Sequence, residues 1–440
     1  MGGRLAALAR GGALGQTWGT LTDAVGVGFS VHQHGGREAA GRDPRADAVT
    51  ASLARLAAPA ADDGRPPLLF DLETTGLGRD AVPFLVGLGG FEAGGTAWVR
   101  QWQLDRPEGE RAMWCDVLDA LRGEPAGTRL LTYNGASFDR TIVRLRLRRL
   151  GMWDGAVARR FEADHVDLLP VCRRLWRDVL PDLRLVTLER EILGAARHGD
   201  PGGAEIAALG QAWIGGRRDD TTAAGMVAAR RHNADDLLGL ASLSVACARA
   251  IGAPGELGEA LGVVRHLARH GALDELTAVV DAWVTRALDG GGFGIDLLLH
   301  GVRALRRGGE HGRAHGLLQA ICARHRGHPE ATLRLAMDLE HRLRRADLAL
   351  SCLRTLADPC PHRLARLERK QGARVRAIAV DPAVTVVPVA TVPVAAHPSV
   401  VAATAATPTA AAAHVPARPE LPGAWRARVA RTTARRAPAV

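Results

Sequence analysis

Lysine is almost missing from this 440-residue chain: Lys370 is the only one, so its positive charge is carried by arginine. Tyrosine is just as scarce, with Tyr133 alone, so a chemistry that needs a tyrosine elsewhere is excluded. The six cysteines, Cys115, Cys172, Cys247, Cys322, Cys352 and Cys360, are scattered and form no C-x-x-C pair. That spacing excludes a short disulfide framework and predicts reduced, mostly buried thiols in a cytoplasmic protein. No apolar run offers the roughly 20 residues of a membrane span. The apolar stretch near the C-terminus is cut by Pro382, Pro388, Pro393, Pro398 and Pro408, and Arg4 and Arg10 interrupt the start where a signal peptide would need an unbroken apolar core. A soluble chain with no membrane partner is expected.

What is present points to a polyanion. The formal net charge is +10 and the sequence pI about 10.5, which favours nucleic acid as a partner over an anionic membrane surface. Hydrophobic residues make up 47% of the chain, enough for more than one core at this length.

Four regions separate by composition. Residues 1–65, rich in Gly, Ala and Arg, end in the breaker cluster Asp62-Asp63-Gly64-Arg65-Pro66-Pro67 and are expected to be a weakly ordered addition. Residues 66–252 alternate short apolar runs with helical periods: strands over 68–72, 84–89, 98–104 and 129–133, helices over 111–122, 138–150 and 221–248. This order predicts an α/β sheet flanked by helices. Residues 253–370 read as successive helices broken at Gly271, Gly290-Gly291-Gly292, Gly308-Gly309 and Pro329. Two similar segments there, beginning at Ala314 and Ala349, are spaced by about one tetratricopeptide period, against an ordinary helical bundle as the plainer alternative. Residues 371–440, rich in Ala, Pro and Val and ending in Arg426, Arg428, Arg431, Arg435 and Arg436, are expected to be a disordered basic tail.

Three short stretches carry the chemistry. In Leu68-Leu69-Phe70-Asp71-Leu72-Glu73-Thr74-Thr75-Gly76, strand alternation projects Asp71 and Glu73 from one face, where two carboxylates repel unless a cation lies between them. In Tyr133-Asn134-Gly135-Ala136-Ser137-Phe138-Asp139, a strand ends in an Asn-Gly turn and Asp139 enters the first turn of a helix, where helix capping is the plainer role. In His232-Asn233-Ala234-Asp235-Asp236, a four-residue offset sets His232 and Asp236 on one helix face, which a merely solvated face would also explain. Arg140, Arg144 and Arg148 recur every fourth residue behind Asp139, positioned either to meet phosphates or to be solvated. Thr74 and Asn134 are the other candidate nucleic-acid contacts.

Taken together, the three stretches resemble the DEDD exonucleases. Phe84-Leu85-Val86-Gly87-Leu88-Gly89, His165-Val166-Asp167-Leu168-Leu169 and Leu188-Glu189-Arg190-Glu191-Ile192-Leu193-Gly194 extend the likeness to the YprB-type branch of ribonuclease-H-like exonucleases over residues 68–250. The resemblance implies a ribonuclease-H-like mixed sheet, with tetratricopeptide-like helices behind it. It implies Asp71, Glu73, Asp139 and Asp236 as ligands of two divalent cations, Mg²⁺ or Mn²⁺, for 3′→5′ hydrolysis of phosphodiester bonds. Such sites use a Tyr or His to handle the attacking water, and with Tyr133 already placed in the second stretch, His232 is the candidate. Asp167 is expected to cap or support rather than ligate. A bacterial cytoplasmic DNA-repair role beside a helicase is implied, with DNA ahead of RNA. A ribonuclease with the same site, or a non-catalytic nucleic-acid-binding scaffold, are the alternatives. Arg79-Asp80-Ala81-Val82-Pro83 is less glycine-rich than the family pattern.

Overall fold

Among the described residues, seven strands make one mixed sheet: β1 (Gly19–Asp23), β2 (Phe29–Gly35), β3 (Leu68–Thr74), β4 (Pro83–Phe91), β5 (Ala97–Leu104), β6 (Leu130–Thr132) and β7 (His165–Asp167), in the spatial order β1-β2-β5-β4-β3-β6-β7. Neighbours from β1 to β3 are antiparallel, and β6 runs parallel to both β3 and β7. The computed structural model describes residues 19–23, 28–35, 46–56, 64–92, 95–197 and 199–380. It divides into two compact units, Met1–Arg286 and Ala287–Val440.

In the first unit the sheet is covered by helices α1 (Ala46–Leu56), α2 (Glu110–Gly123), α3 (Asp139–Arg149), α4 (Gly155–Glu162), α5 (Leu168–Trp176), the short α6 (Leu185–Leu188), α7 (Gly203–Ile214) and α8 (Asp220–Gly252). β4 is buried along its whole length up to Phe91 because both of its faces are covered, which is why it reads as a continuous apolar run. β3 is buried except at Asp71 and Glu73, the two positions that alternate outward at its end. Phe70 from β3 packs edge-on against Phe161 of α4, ring centroids 5.2 Å apart, within a core that includes Trp102 and Trp114. α8 starts where Asp219 accepts from the Thr222 amide at 2.8 Å, and it lies against β3, β4 and β5.

One expectation is corrected here. The segment 1–65 is not wholly an addition: β2 pairs with β5 from Phe29↔Leu104 to Gly35↔Trp98, β1 pairs with β2, and Phe29 belongs to the core. Residues 1–18, 24–27, 36–45 and 57–63 lie outside the described residues. The helix α9 (Leu257–His270), beyond the expected boundary at 252, belongs to the first compact unit and packs onto α5 so closely that a Cβ at Gly262 would fall 2.4 Å from the Leu175 carbonyl oxygen.

The helix α10 (Leu273–Asp289) leads into the second unit, where α11 (Gly291–Arg307), α12 (His311–Arg324), α13 (Pro329–His341), α14 (Ala346–Leu353) and α15 (Pro361–Val380) each pack on the next. The breaks fall where glycine and proline put them: Gly271 closes α9 in the left-handed conformation at φ 73°, and Pro329 opens α13. The expected tail starts later than residue 371, since α15 continues to Val380, and residues 381–440 lie outside the described residues. Of the cysteines only Cys172 and Cys247 are fully buried, while Cys115 and Cys360 are exposed, contrary to the expectation of mostly buried thiols. Among the described residues no single helix is long and apolar enough to cross a membrane.

Candidate active site

Three elements converge at the end of β3. The strand presents Asp71 and Glu73, α3 begins at Asp139, and α8 contributes His232, Asn233 and Asp236 from successive turns. The loop that delivers Asp139 is tied down by Asp167. Its carboxylate accepts from the Asn134 amide at 2.8 Å and the Ala136 amide at 3.1 Å, and it caps α5 through the Leu169 amide at 3.0 Å. Asn134 takes the left-handed conformation at φ 64°, which its short polar side chain tolerates and which bends the chain toward the acids. Asp167 therefore acts through the loop.

Asp71 and Asp236 each have a partner behind them. Asn233, fully buried, donates from Nδ2 to Asp71 Oδ2 at 2.7 Å and accepts at Oδ1 from Gln101 Nε2 at 2.8 Å. β4 admits this amide because it has a glycine there: a Cβ at Gly87 would sit 2.2 Å from Asn233 Oδ1. Asp236 Oδ1 lies 2.5 Å from Arg197 Nη1, and Arg197 also pairs with Glu189 at 2.5 Å and with Asp200 at 3.4 Å. His232 is held at Nδ1 by Asp200 at 2.8 Å, while its Nε2 lies 3.6 Å from Asp236 Oδ2 and 3.8 Å from Glu73 Oε1. A carboxylate only accepts, so Nδ1 carries the proton in that bond and Nε2 is the nitrogen turned toward the acids.

The electrostatics follow from crowding several carboxylates in a buried place. Burial first, then Asp236, Glu73 and Asp139, push Asp71 well above the usual carboxylate range. Glu73 is raised to about 8, mainly by burial and against the pull of His232, and Asp139 to about 7, again chiefly by burial. Burial alone would depress His232, but Asp236, the Asp200 hydrogen bond and Glu73 outweigh it and raise the imidazole to about 10. Such a surplus of buried negative charge, presented by oxygen atoms only, fits a hard divalent cation. Asp71 Oδ1 and Asp236 Oδ2 are the atoms not taken up by the Asn233 and Arg197 bonds. Among the described residues no three His, Cys, Asp or Glu side chains already converge at ligand distance on one point, since Asp236 leans on Arg197 and Asp71 on Asn233.

The remaining candidates are placed differently. Thr74 is buried and its hydroxyl donates to the Gly76 carbonyl at 2.7 Å, so it braces the turn and is not offered outward as a nucleic-acid contact. The Asn134 side chain accepts from the Ser137 hydroxyl at 2.6 Å. On α3, Arg140 and Arg144 are half-buried and Arg148 is exposed; Arg144 and Arg148 have no ion pair among the described residues. Asp80, in the loop that departs from the family pattern, pairs with Arg149 at 2.8 Å on the surface. Sequence reasoning missed Arg197, Asp200 and Gln101. Arg197 and Asp200 lie in an irregular stretch, and Gln101 is one of three polar residues in β5, with Arg100 and Gln103, so none carried a distinguishing periodic signal.

A mixed sheet of this order with acids at the end of an interior strand is ribonuclease-H-like, and residues 68–248 match the family model described as the RNase_H superfamily. That span holds the strands and helices that carry the acids, and its likeness is to the ribonuclease H superfamily. The chain is 29% identical over 232 residues to the uncharacterized protein YprB of Bacillus subtilis (strain 168), a match that covers 50% of this chain and 52% of that protein. The chain therefore spans about half the length of the curated relative it matches. A ribonuclease-H-like domain implies nuclease chemistry on nucleic acid with divalent metal ions.

Proposed function

We propose that the chain is a metal-dependent 3′→5′ exonuclease that shortens DNA by hydrolysing its phosphodiester bonds. The reading rests on one observation above the others: acids from β3, α3 and α8 meet at one buried place with His232 Nε2 turned toward them. Asp71, Glu73, Asp139 and Asp236 would hold two divalent cations, Mg²⁺ or Mn²⁺. Bound there, the cations supply Lewis-acid polarisation of the scissile phosphate and a more acidic attacking water.

The chain's own groups do the rest. Asn233 fixes Asp71 through one oxygen and Arg197 fixes Asp236 through one oxygen, so each carboxylate presents its other oxygen in a set direction. His232, held at Nδ1 by Asp200, turns Nε2 toward the acids, where it would orient the attacking water or accept its proton. Arg144 and Arg148 supply positive charge along α3 for the substrate backbone. A place in DNA repair beside a helicase belongs to the same proposal and rests on family resemblance alone.

The test is a gel time course of the purified chain with Mn²⁺ or Mg²⁺ on 5′-labelled single-stranded DNA and on RNA of the same sequence, with Asp139→Ala alongside. A ladder shortening from the 3′ end on DNA, absent in the variant, is expected. Cleavage of RNA in preference would make the chain a ribonuclease with the same site, and no cleavage of either would favour a non-catalytic scaffold.

A further inference from the structure

Behind the acids lies a charged unit that belongs neither to the four-acid set nor to the histidine. Arg197 is 6% exposed at its side chain and is anchored through Nη2 to Glu189, whose carboxylate lies over α8 where a Cβ at Gly239 would fall 2.3 Å from Glu189 Oε1. Glu189 opens a π-helical turn, Glu189–Leu193, closed by Gly194 at φ 67°; the wider turn is a local distortion of the kind that concentrates at functional sites. From this anchor Arg197 Nη1 reaches Asp236 Oδ1 at 2.5 Å and Asp200 Oδ2 at 3.4 Å, and Asp200 in turn holds His232 Nδ1 at 2.8 Å.

We infer that Arg197 and Asp200 are paired positioning residues, Arg197 setting the orientation of Asp236 toward the metal and Asp200 setting the ring plane of His232. A guanidinium held on its far side by Glu189 does not follow Asp236 if the acid rotates away. It therefore fixes Asp236 Oδ1 and leaves Oδ2 on the side of His232 and Glu73. A planar fork that bonds two carboxylates at once does this where a point charge does not. Arg197 and Asp200 also touch each other at 3.4 Å, the longest contact of the set, so the two clients are coupled only weakly through this pair. This inference rests on the proposed acidic metal centre, and it adds a route by which the segment between α6 and α7 controls that centre.

The full chain, wild type, Arg197→Lys, Asp200→Asn and the double variant, would be compared by isothermal titration with Mn²⁺ and by kcat and KM on single-stranded DNA, after thermal melts establish folding. Arg197→Lys keeps the charge and loses the fork, and its Mn²⁺ affinity should fall about 10- to 100-fold, as is typical when an outer partner of a metal ligand is removed. Asp200→Asn should leave Mn²⁺ affinity within about threefold while kcat falls about 10- to 100-fold at unchanged KM. The double variant should lose somewhat less kcat than the product of the two single losses, because the two residues are in contact. If Arg197→Lys does not fold, Glu189→Gln should weaken Mn²⁺ binding in the same direction by loosening the anchor. Unchanged or tighter Mn²⁺ binding in folded Arg197→Lys would overturn the assignment and make the guanidinium a mere competitor of the metal. If the wild type bound Mn²⁺ yet cut neither DNA nor RNA, the exonuclease reading would fail, and the Mn²⁺ difference between wild type and Arg197→Lys would still decide the role of Arg197.

Discussion

Asn233 reaches across from α8 to donate to Asp71 Oδ2 at 2.7 Å, so β3 and the longest helix of the domain are joined by a hydrogen bond to a site acid. The bond consumes one lone-pair direction of Asp71 and aims the other oxygen.

Asp71→Asn and Asp139→Asn should each bring cleavage to background, while the unfolding free energy at pH 8 in EDTA rises by on the order of 1 kcal/mol, because a carboxylate is removed from a repelling group. Mn²⁺ should raise the melting temperature of the wild type and have little effect on either variant. Full activity in both variants would remove these residues from the site.

Gly87→Ala places a methyl group 2.2 Å from Asn233 Oδ1. The amide has to move, Asp71 loses its donor, and β4 or α8 shifts. A destabilisation of about 1–3 kcal/mol is expected for overpacking of this kind, read from the urea midpoint, together with weaker Mn²⁺ binding. A variant as stable and as active as wild type would mean that Asn233 has room to spare.

His266 gives the fold its acid sensitivity away from the site. The ring is 1% exposed; its Nε2 meets the Arg55 carbonyl at 3.2 Å and its Nδ1 accepts from Arg174 Nε at 3.3 Å, an arrangement that needs the neutral imidazole. Burial chiefly, with help from Arg174 and His270, lowers it to about 4 from its usual 6.5. The unfolded chain then binds the proton more readily than the folded one. Stability from this group is complete above about pH 6.5 and is lost as pH falls toward 4, by on the order of 2–3 kcal/mol in all. Urea unfolding of wild type and His266→Gln at pH 7 and pH 4.5 checks this: the variant should lose less stability between the two, and equal losses would contradict it.

Arg144→Ala combined with Arg148→Ala should weaken single-stranded DNA binding at every sequence alike. The slope of log affinity against log salt should fall by roughly 0.7 for each arginine that meets a phosphate. Anisotropy titrations over a salt series give the slope, and an unchanged slope would return both arginines to the solvated face of α3.

The strands and helices that hold the acids were legible because their apolar periods are strong: β3, β4, β5, α3 and α8 lie within a few residues of where periodicity puts them. β1 and β2 were not, since Gly19-Thr20-Leu21-Thr22-Asp23 and Phe29-Ser30-Val31-His32-Gln33-His34-Gly35 are short and rich in polar residues, and it is pairing with β5 that organises β2. Asp71, Glu73, Asp139, His232 and Asp236 could be singled out because each sits on a regular element or at its start. Arg197 and Asp200 depend on a long-range approach between an irregular segment and α8. No local spacing encodes that approach.

One helix, α8, carries His232, Asn233 and Asp236 on consecutive turns and also packs along the sheet. A single residue inserted or deleted inside it would rotate everything downstream by about 100° and swing one set of groups off the site while the other stayed. Length variation in this domain should therefore collect in the connection before Asp219 and be purged from the helix itself, which makes the reading frame of α8 a fixed ruler for the chemistry.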